Sequence, residues 1–360
     1  MAFRSPPEML LRMAIRKDGL NNIRTCLTSA TRSRSFKAAV VTELGQPLQV
    51  KDMPSKDQLA NNEVRVKVNY ASINFADILS SQGKYQEKKQ VPFIPGAEFT
   101  GTVAETGEGV KHLKNGDRVL AFAQGGAMGQ ECVVPMQSVM PLPENVDLAA
   151  AAATIITYCT AYVGLKNKAN LKEGETILVT AAAGGAGLAA VDLAKNVFKA
   201  NVIGAVGSDN KKDVVKQFGA SDVINYSTEN VRGRIKELTN GKGVDVVYDI
   251  VGGKVAEDCL YGLSFEGRLV IIGFASGTIP KLPANLLLLK SAFATGLYWG
   301  SYAQRDPAVF NDSIKSVGKL LATGVIKPHV SKIFPVEQVN EAFGFILERK
   351  STGKVLLQLN

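Results

Sequence analysis

A glycine-rich turn is the first place where this sequence could do chemistry. The apolar segment Thr176–Thr180 reads as a buried strand, and the run from Ala181 to Gly187 follows it with the pattern AxxGxxG. A helix is predicted directly afterwards. Small residues let backbone N–H groups approach a pyrophosphate at the positive end of such a helix. Because the pattern stands between a strand and a helix, it predicts a dinucleotide site rather than a bare tight turn. The residues expected to line it are Ala183, Gly184, Gly185, Ala186 and Gly187.

The end of the next predicted strand indicates which dinucleotide is bound. Sites that prefer NAD place an acid there, about 20 residues on, to bind the ribose. Here the strand ends in Gly207-Ser208, and Asp209 follows slightly late. Gly207 leaves room for a 2′-phosphate, Ser208 can donate to it, and Lys211 can pair with its charge. The pattern favours NADPH; the alternatives are a solvated Lys211 and a ribose bound by Asp209.

Scarcity of histidine and cysteine narrows the chemistry further. The chain has two histidines, His112 and His329, and four cysteines, with no CxxC pair and no GxSxG motif. Neither a zinc site nor a nucleophilic triad is expected. Hydride transfer by positioning fits such a composition. A substrate that is already a strong electrophile is favoured over a plain ketone, because its reduction needs no strong general acid.

The surrounding segments predict two kinds of domain. From Lys37 to Asp147 short strand-like segments dominate, and 63–70 alternates with period two. From Glu175 onward apolar strands alternate with helices, which is typical of a doubly wound parallel sheet. Short strands return after Thr323, with a helix between them. The sequence therefore predicts a β domain interrupted by an α/β domain.

Charge and hydropathy add limits on partners and location. The formal charge is +9, of which +5 lies in residues 1–36, so strong nucleic-acid binding is not expected from the rest. No uninterrupted apolar stretch reaches the length of a membrane span. Residues 1–36 are basic, hydroxyl-rich and poor in acids, as in a mitochondrial transit peptide. They predict a matrix protein, with a disordered basic tail in a cytosolic protein as the alternative.

Several motifs together resemble one family, the zinc-free quinone oxidoreductase branch of the medium-chain dehydrogenase/reductase superfamily. They are Ile73–Asp77, Pro95–Gly101, Gly116–Val119, Tyr158–Tyr162, Thr180–Gly187, Asp249–Gly253, Gly273-Phe274 and Ser351–Val355. The resemblance implies an α/β protein with a GroES-like catalytic domain from residues 37–157 and 325–360. A Rossmann domain that binds NADPH, residues 158–324, is inserted into it, and residues 1–36 are left as the leader.

The resemblance also implies roles for individual residues. Catalytic positions fall on Asn74, Asp77 and Thr160, and further cofactor contacts on Ser208, Lys211, Tyr226, Val251, Gly273, Phe274 and Lys354. Ordinary structural roles stay open: Asn74 could cap a turn, Thr160 could bond back within its helix, Tyr226 could be core, and Lys354 could be solvated. One position departs from the pattern, because Leu79 stands where many quinone reductases have tyrosine.

The expected function is NADPH-dependent reduction of a small-molecule quinone or other activated α,β-unsaturated carbonyl. Reduction of 2-enoyl thioesters is one alternative, although no basic channel for such a substrate is evident. A low-turnover NADPH-binding protein with a partner or RNA role is another. Family members dimerise through an edge strand, and the apolar segments 284–290 and 293–300 predict a homodimer; a buried helix and strand would give the same pattern.

Overall fold

The computed structural model describes residues 34–360. The strands are β1 (Ser35–Val40), β2 (Gln49–Pro54), β3 (Glu63–Ile73), β4 (Glu98–Thr106), β5 (Arg118–Phe122), β6 (Glu131–Pro135), β7 (Val139–Pro141), β8 (Thr176–Val179), β9 (Asn201–Val206), β10 (Asp222–Asn225), β11 (Val244–Asp249), β12 (Leu263–Ile271), β13 (Phe293–Gly296), β14 (Val330–Pro335) and β15 (Lys354–Gln358). The helices are α1 (Phe75–Ser81), α2 (Leu148–Ala152), α3 (Ile155–Val163), α4 (Gly185–Asn196), α5 (Lys212–Gln217), α6 (Val231–Leu238), α7 (Gly253–Tyr261), α8 (Ala284–Lys290), α9 (Tyr302–Arg305), α10 (Pro307–Ala322) and α11 (Val339–Leu347).

The β domain is built around a seven-stranded sheet. Its order is β14-β15-β3-β4-β5-β7, with β6 also paired to β3, and β1 and β2 form a separate antiparallel pair. The predicted alternating strand corresponds to β3, in which Val64, Val66 and Val68 are all buried. The last strand, β15, pairs antiparallel with β3, so that Val355 lies opposite Ile73. The C-terminal segment therefore completes the domain that the N-terminal half begins.

The α/β domain contains a six-stranded parallel sheet in the order β10-β9-β8-β11-β12-β13. All six residues of β11, at its centre, are buried, as expected for a strand covered by helices on both faces. The strand order reverses beside β8. In such sheets ligands bind at the carboxyl ends of the strands where the order reverses. The predicted doubly wound fold is thus confirmed, and the edge at which such folds bind ligands lies at the end of β8.

The strands of the two sheets fall within the two predicted domain ranges. The chain crosses from one domain to the other twice, and both crossings are packed against other elements rather than being free linkers. The predicted boundary after Thr157 lies within α3. Asp192 of α4 accepts hydrogen bonds from the Tyr158 hydroxyl (2.8 Å) on the first crossing and from the Lys327 N–H (3.2 Å) on the second. One buried carboxylate therefore ties both crossings to the α/β domain.

The predicted leader, residues 1–36, lies outside the described residues except for its last three. Ser35 and Phe36 are the first residues of β1, paired with Pro54 and Met53. Strand β1 thus begins two residues before Lys37, because these residues complete an antiparallel ladder. Mitochondrial targeting by residues 1–36 stays a prediction. Between residues 34 and 360, the helices are all too short or too polar to cross a bilayer.

Candidate active site

The glycine-rich turn has the shape of a cradle at the end of β8. Ala181 has a positive φ of 47°, and Gly184 precedes the first residue of α4. A Cβ on Gly187 would lie 2.2 Å from the Ala181 carbonyl oxygen, so only glycine fits there. The first amides of α4, including those of Gly185 and Ala186, have no partner within the helix. They give the turn a set of N–H donors that suits the pyrophosphate of a dinucleotide.

The C-terminal segment closes on this turn from the β domain. The Gly353 N–H donates to the Ala183 carbonyl (2.7 Å), and Gly184 and Gly353 form a parallel bridge. A Cβ on Gly185 would lie 2.6 Å from Cδ of Lys354. The turn is therefore shared by the two domains, and residues 353–354 form its second wall.

The residues Lys211, Tyr226 and Arg349, here called the basic pocket, lie beyond the end of β9, where the sequence predicts recognition of the 2′-phosphate. The Cβ position of Gly207 is 3.1 Å from the Tyr226 hydroxyl, and Lys211 donates to the Ser351 carbonyl (3.0 Å). Burial lowers the pKa of Lys211, and the nearby Arg349 guanidinium lowers it further. Burial raises the pKa of Tyr226, while Arg349 opposes that shift. The Arg349 guanidinium thus lies close enough to act on the charge of both Lys211 and Tyr226. Arg349 was not among the residues predicted from the sequence.

Ser208 and Asp209 lie beside this pocket. The Ser208 hydroxyl donates to the Asn210 side chain (2.6 Å). The Asp209 carboxylate pairs with Lys212 (2.9 Å), which also pairs with Glu229 (3.0 Å). The acid that could have bound a ribose is therefore engaged with a neighbouring lysine.

Asn74, which contacts Lys354 beside the glycine-rich turn, belongs to a buried polar network. Lys354 Nζ donates to Asn74 Oδ1 (2.7 Å), Glu98 Oε1 (3.1 Å) and the Ile73 carbonyl (3.1 Å). Asn74 Nδ2 donates to Glu98 Oε1 (3.0 Å). Glu98 is fully buried and Lys354 is 5% exposed, so Lys354 is not the solvated strand residue of the alternative reading. Glu98 lies within one of the family motifs but was not predicted as a site residue. The available signal was an acid at the start of a strand whose next six residues, 99–104, are uncharged.

Asp77 holds the backbone around Asn74 in place. One carboxylate oxygen accepts from the Asn74 N–H (2.8 Å) and the other from the Gly96 N–H (3.0 Å). Burial raises the pKa of Asp77 to about 6, against the effect of these hydrogen bonds. Asp77 thus ties the start of α1 to the loop before β4. Asn74 is the N-cap residue of α1 and shares a capping box with Asp77, as the capping alternative proposed, and its side chain also contacts Glu98 and Lys354.

Thr160 lies one turn along α3 from the same network. Its hydroxyl donates to the Ile156 carbonyl (2.6 Å), which is the helical back-bond considered in the sequence analysis. The Ile156 N–H donates to Glu98 Oε2 (2.9 Å). Glu98 therefore connects the start of α3 with Asn74 and Lys354.

The remaining predicted cofactor residues follow β11 and β12. The Val251 N–H donates to Asp249 (3.2 Å), and the Gly252 N–H to the other oxygen of the same carboxylate (3.0 Å). Thr180, at the end of β8, donates to Asp249 as well (2.7 Å). A Cβ on Gly252 would lie 2.9 Å from Phe274, which follows Gly273 after β12. These residues share the carboxyl edge of the sheet with the glycine-rich turn, and the buried Asp249 shapes their loop.

In residues 34–360 no three or more His, Cys, Asp or Glu side chains come together as a potential metal site. His329 contacts Thr352 (3.1 Å), behind the segment that closes on the turn.

Each of the two domains contains a segment that matches a known family model. Residues 60–144 match the alcohol dehydrogenase GroES-like domain, and residues 185–317 match the domain described as zinc-binding dehydrogenase. The chain belongs to the medium-chain dehydrogenase/reductase superfamily. Within it, the chain is 46% identical to quinone oxidoreductase-like protein 2 homolog of Nematostella vectensis, over 99% of this chain and 98% of that protein.

Two further similar proteins are named as a quinone oxidoreductase-like protein and a quinone oxidoreductase. Quinone oxidoreductase-like protein 2 of Mus musculus is 45% identical, over 91% of this chain and 93% of that protein. The crystal structure of Escherichia coli quinone oxidoreductase complexed with NADPH superposes with a TM-score of 0.79 and 32% identity, covering 90% of this chain and 99% of that one.

Proposed function

We propose that this protein is an NADPH-dependent oxidoreductase that reduces quinones or other activated α,β-unsaturated carbonyls without zinc. The observation that carries the proposal is the basic pocket of Lys211, Tyr226 and Arg349 beside the glycine-rich turn. Two cations next to a hydroxyl suit a phosphate on the adenosine ribose. The NADPH complex of the similar Escherichia coli enzyme supports the same cofactor.

The residues of the site divide the work of holding this cofactor. The amides at the start of α4 would hold the pyrophosphate, the basic pocket the 2′-phosphate, and the network of Asn74 and Lys354 would face the nicotinamide. When bound, NADPH supplies the hydride. Asp77, Glu98 and Lys354 are engaged in hydrogen bonds to the protein. A substrate that can take its proton from water, such as a quinone, fits this arrangement best.

Removing the basic pocket should abolish the preference for NADPH. We expect the double variant Lys211→Ala/Arg349→Ala to raise the Kd for NADPH by at least about tenfold, because charge-assisted hydrogen bonds contribute about 1.5–3 kcal/mol each. The Kd for NADH, which lacks the 2′-phosphate, should change by less than about threefold. Titration followed by nicotinamide fluorescence measures both constants.

Lys212→Ala is the matched control, because Lys212 is paired with Asp209 and Glu229. It should leave both dissociation constants unchanged. If the wild-type protein bound NADH as tightly as NADPH, or if the double variant weakened both equally, the assignment of the pocket to a 2′-phosphate would be wrong.

We also propose that the protein is a homodimer formed through the edge of the parallel sheet. Beside the edge strand β13, Leu288 and Leu289 of α8 are 78% and 74% exposed, and Phe293 is 48% exposed. Sedimentation velocity should show a dimer, and Leu288→Asp/Leu289→Asp should shift it to a monomer, since buried charges oppose association. Leu44→Asp, an exposed leucine of the β domain, should leave the dimer intact. A monomeric wild-type protein would contradict the proposal.

A further inference from the structure

Glu98 occupies a position in the site that the proposed cofactor contacts do not explain. It is the first residue of β4, is fully buried, and accepts three hydrogen bonds. Two of them come from the side chains of Asn74 and Lys354, and the third comes from the Ile156 N–H of α3. Residues from both ends of the β domain and from the crossing helix therefore converge on one carboxylate.

The chemistry of this network fixes the orientation of the Asn74 amide. An ammonium group only donates hydrogen bonds, and an ionised carboxylate only accepts them. The amide oxygen must therefore face Lys354 (2.7 Å), and the amide nitrogen must face Glu98 (3.0 Å). Rotating the amide by 180° would place its N–H groups against the Lys354 ammonium and its oxygen against the Glu98 carboxylate. Glu98 and Lys354 together hold the amide in one orientation.

Counting donors shows which group of the network is still available. The three N–H groups of the Lys354 ammonium match its three acceptors, namely Ile73, Asn74 and Glu98. Both oxygens of Glu98 are engaged. Asn74 has two N–H groups on its side chain, and only one of them has a partner among residues 34–360. Asn74 is half-buried, whereas Glu98 and Lys354 are buried. The second N–H of Asn74 is thus the one donor of the network left for a ligand.

We propose that Glu98 is a positioning residue for hydride transfer, which fixes Asn74 so that its second N–H donates to the carbonyl oxygen of the acceptor. The proposal rests on the proposed function. In the balanced reaction, quinone, NADPH and one proton give hydroquinone and NADP⁺. Negative charge develops on the quinone oxygen before the proton arrives from water. A preorganised N–H aimed at that oxygen stabilises the developing charge.

Glu98→Gln tests this role. Glutamine has one acceptor oxygen, so it cannot accept from Asn74, Lys354 and Ile156 as the carboxylate does. We expect kcat with 1,4-naphthoquinone to fall about 10- to 100-fold, the usual effect of misplacing a reacting group. The Kd for NADPH, measured by fluorescence, should change by less than about threefold, because most of the cofactor contacts lie elsewhere.

Glu131→Gln is the matched control for a general loss of stability. Glu131 also lies in the β domain and, like Glu98, accepts from a buried cation, in this case Arg65. Its other side-chain donor is the Ser55 hydroxyl, and it does not contact the network. It should lower the melting temperature as Glu98→Gln does and leave kcat unchanged. An equal loss of kcat in the two variants would overturn the positioning role.

A double-mutant cycle with Asn74→Ala separates positioning from structure. Asn74→Ala removes the donor itself and should lower kcat about 100-fold, as loss of an oxyanion donor does. Because Glu98 is proposed to act through Asn74, adding Glu98→Gln should cost less than about threefold more. Multiplicative losses, or an Asn74→Ala protein with normal kcat, would refute the proposal. The kcat of the Asn74→Ala protein can refute the proposal even if Glu98→Gln does not fold. Failure of the wild-type protein to bind NADPH would instead refute the proposed function.

Discussion

Replacing Lys354 with methionine is expected to lower the free energy of unfolding by about 3–5 kcal/mol and to abolish turnover. Lys354 is 5% exposed, and its ammonium lies 3.1 Å from the fully buried Glu98. Methionine fills much of the same space but leaves Glu98 without its cation. An uncompensated buried charge accounts for most of the expected loss. Urea denaturation measures the change in stability, and NADPH oxidation with a quinone measures turnover.

The double variant Lys354→Met/Glu98→Gln separates stability from activity. Neutralising both partners removes the uncompensated charge, so part of the lost stability should return. Turnover should stay lost, because the Asn74 amide is no longer held from both sides. A double variant no more stable than Lys354→Met would contradict the interpretation of this pair as a compensated buried ion pair. Recovery of full turnover would contradict its role in the site.

Gly184→Ala should weaken NADPH binding at least about 100-fold while leaving the fold intact. A Cβ on Gly184 would meet nothing closer than the Ala181 carbonyl oxygen at 3.4 Å, an ordinary contact. The backbone of Gly184 is extended, with φ −79° and ψ 172°, which alanine adopts freely. The new methyl group would instead occupy the space where backbone amides approach the pyrophosphate. Nicotinamide fluorescence measures the binding constant, and thermal unfolding without cofactor measures the fold.

Gly344→Ala is the control for replacing a glycine in this protein. Gly344 lies within α11, and a Cβ there meets nothing within 4 Å. Alanine should stabilise the helix by about 0.5–1 kcal/mol and leave NADPH binding unchanged. If Gly184→Ala bound NADPH normally, the turn would not be the pyrophosphate site. Gly187→Ala would not serve as well, because its methyl group would clash with Ala181 in the protein itself.

Features that depend on neighbouring residues could be predicted from the amino-acid sequence alone. The glycine-rich turn could be predicted because a strand, a tight turn and a helix end are consecutive in the chain. The alternation of β3 and the apolar strands of the parallel sheet could be predicted for the same reason. Lys211 was predicted from its place just after β9. The return of short strands after Thr323 likewise predicted that an α/β domain interrupts a β domain.

Contacts between side chains that are far apart in the chain could be found only in the folded structure. Lys354 and Glu98 are 256 positions apart, and they meet because β15 pairs with β3, beside β4. Lys211 contacts Ser351, 140 positions away, and the same segment brings Arg349 to the basic pocket. No local pattern encodes such contacts. They depend on which strand completes the sheet and on how the C-terminal segment docks against the turn.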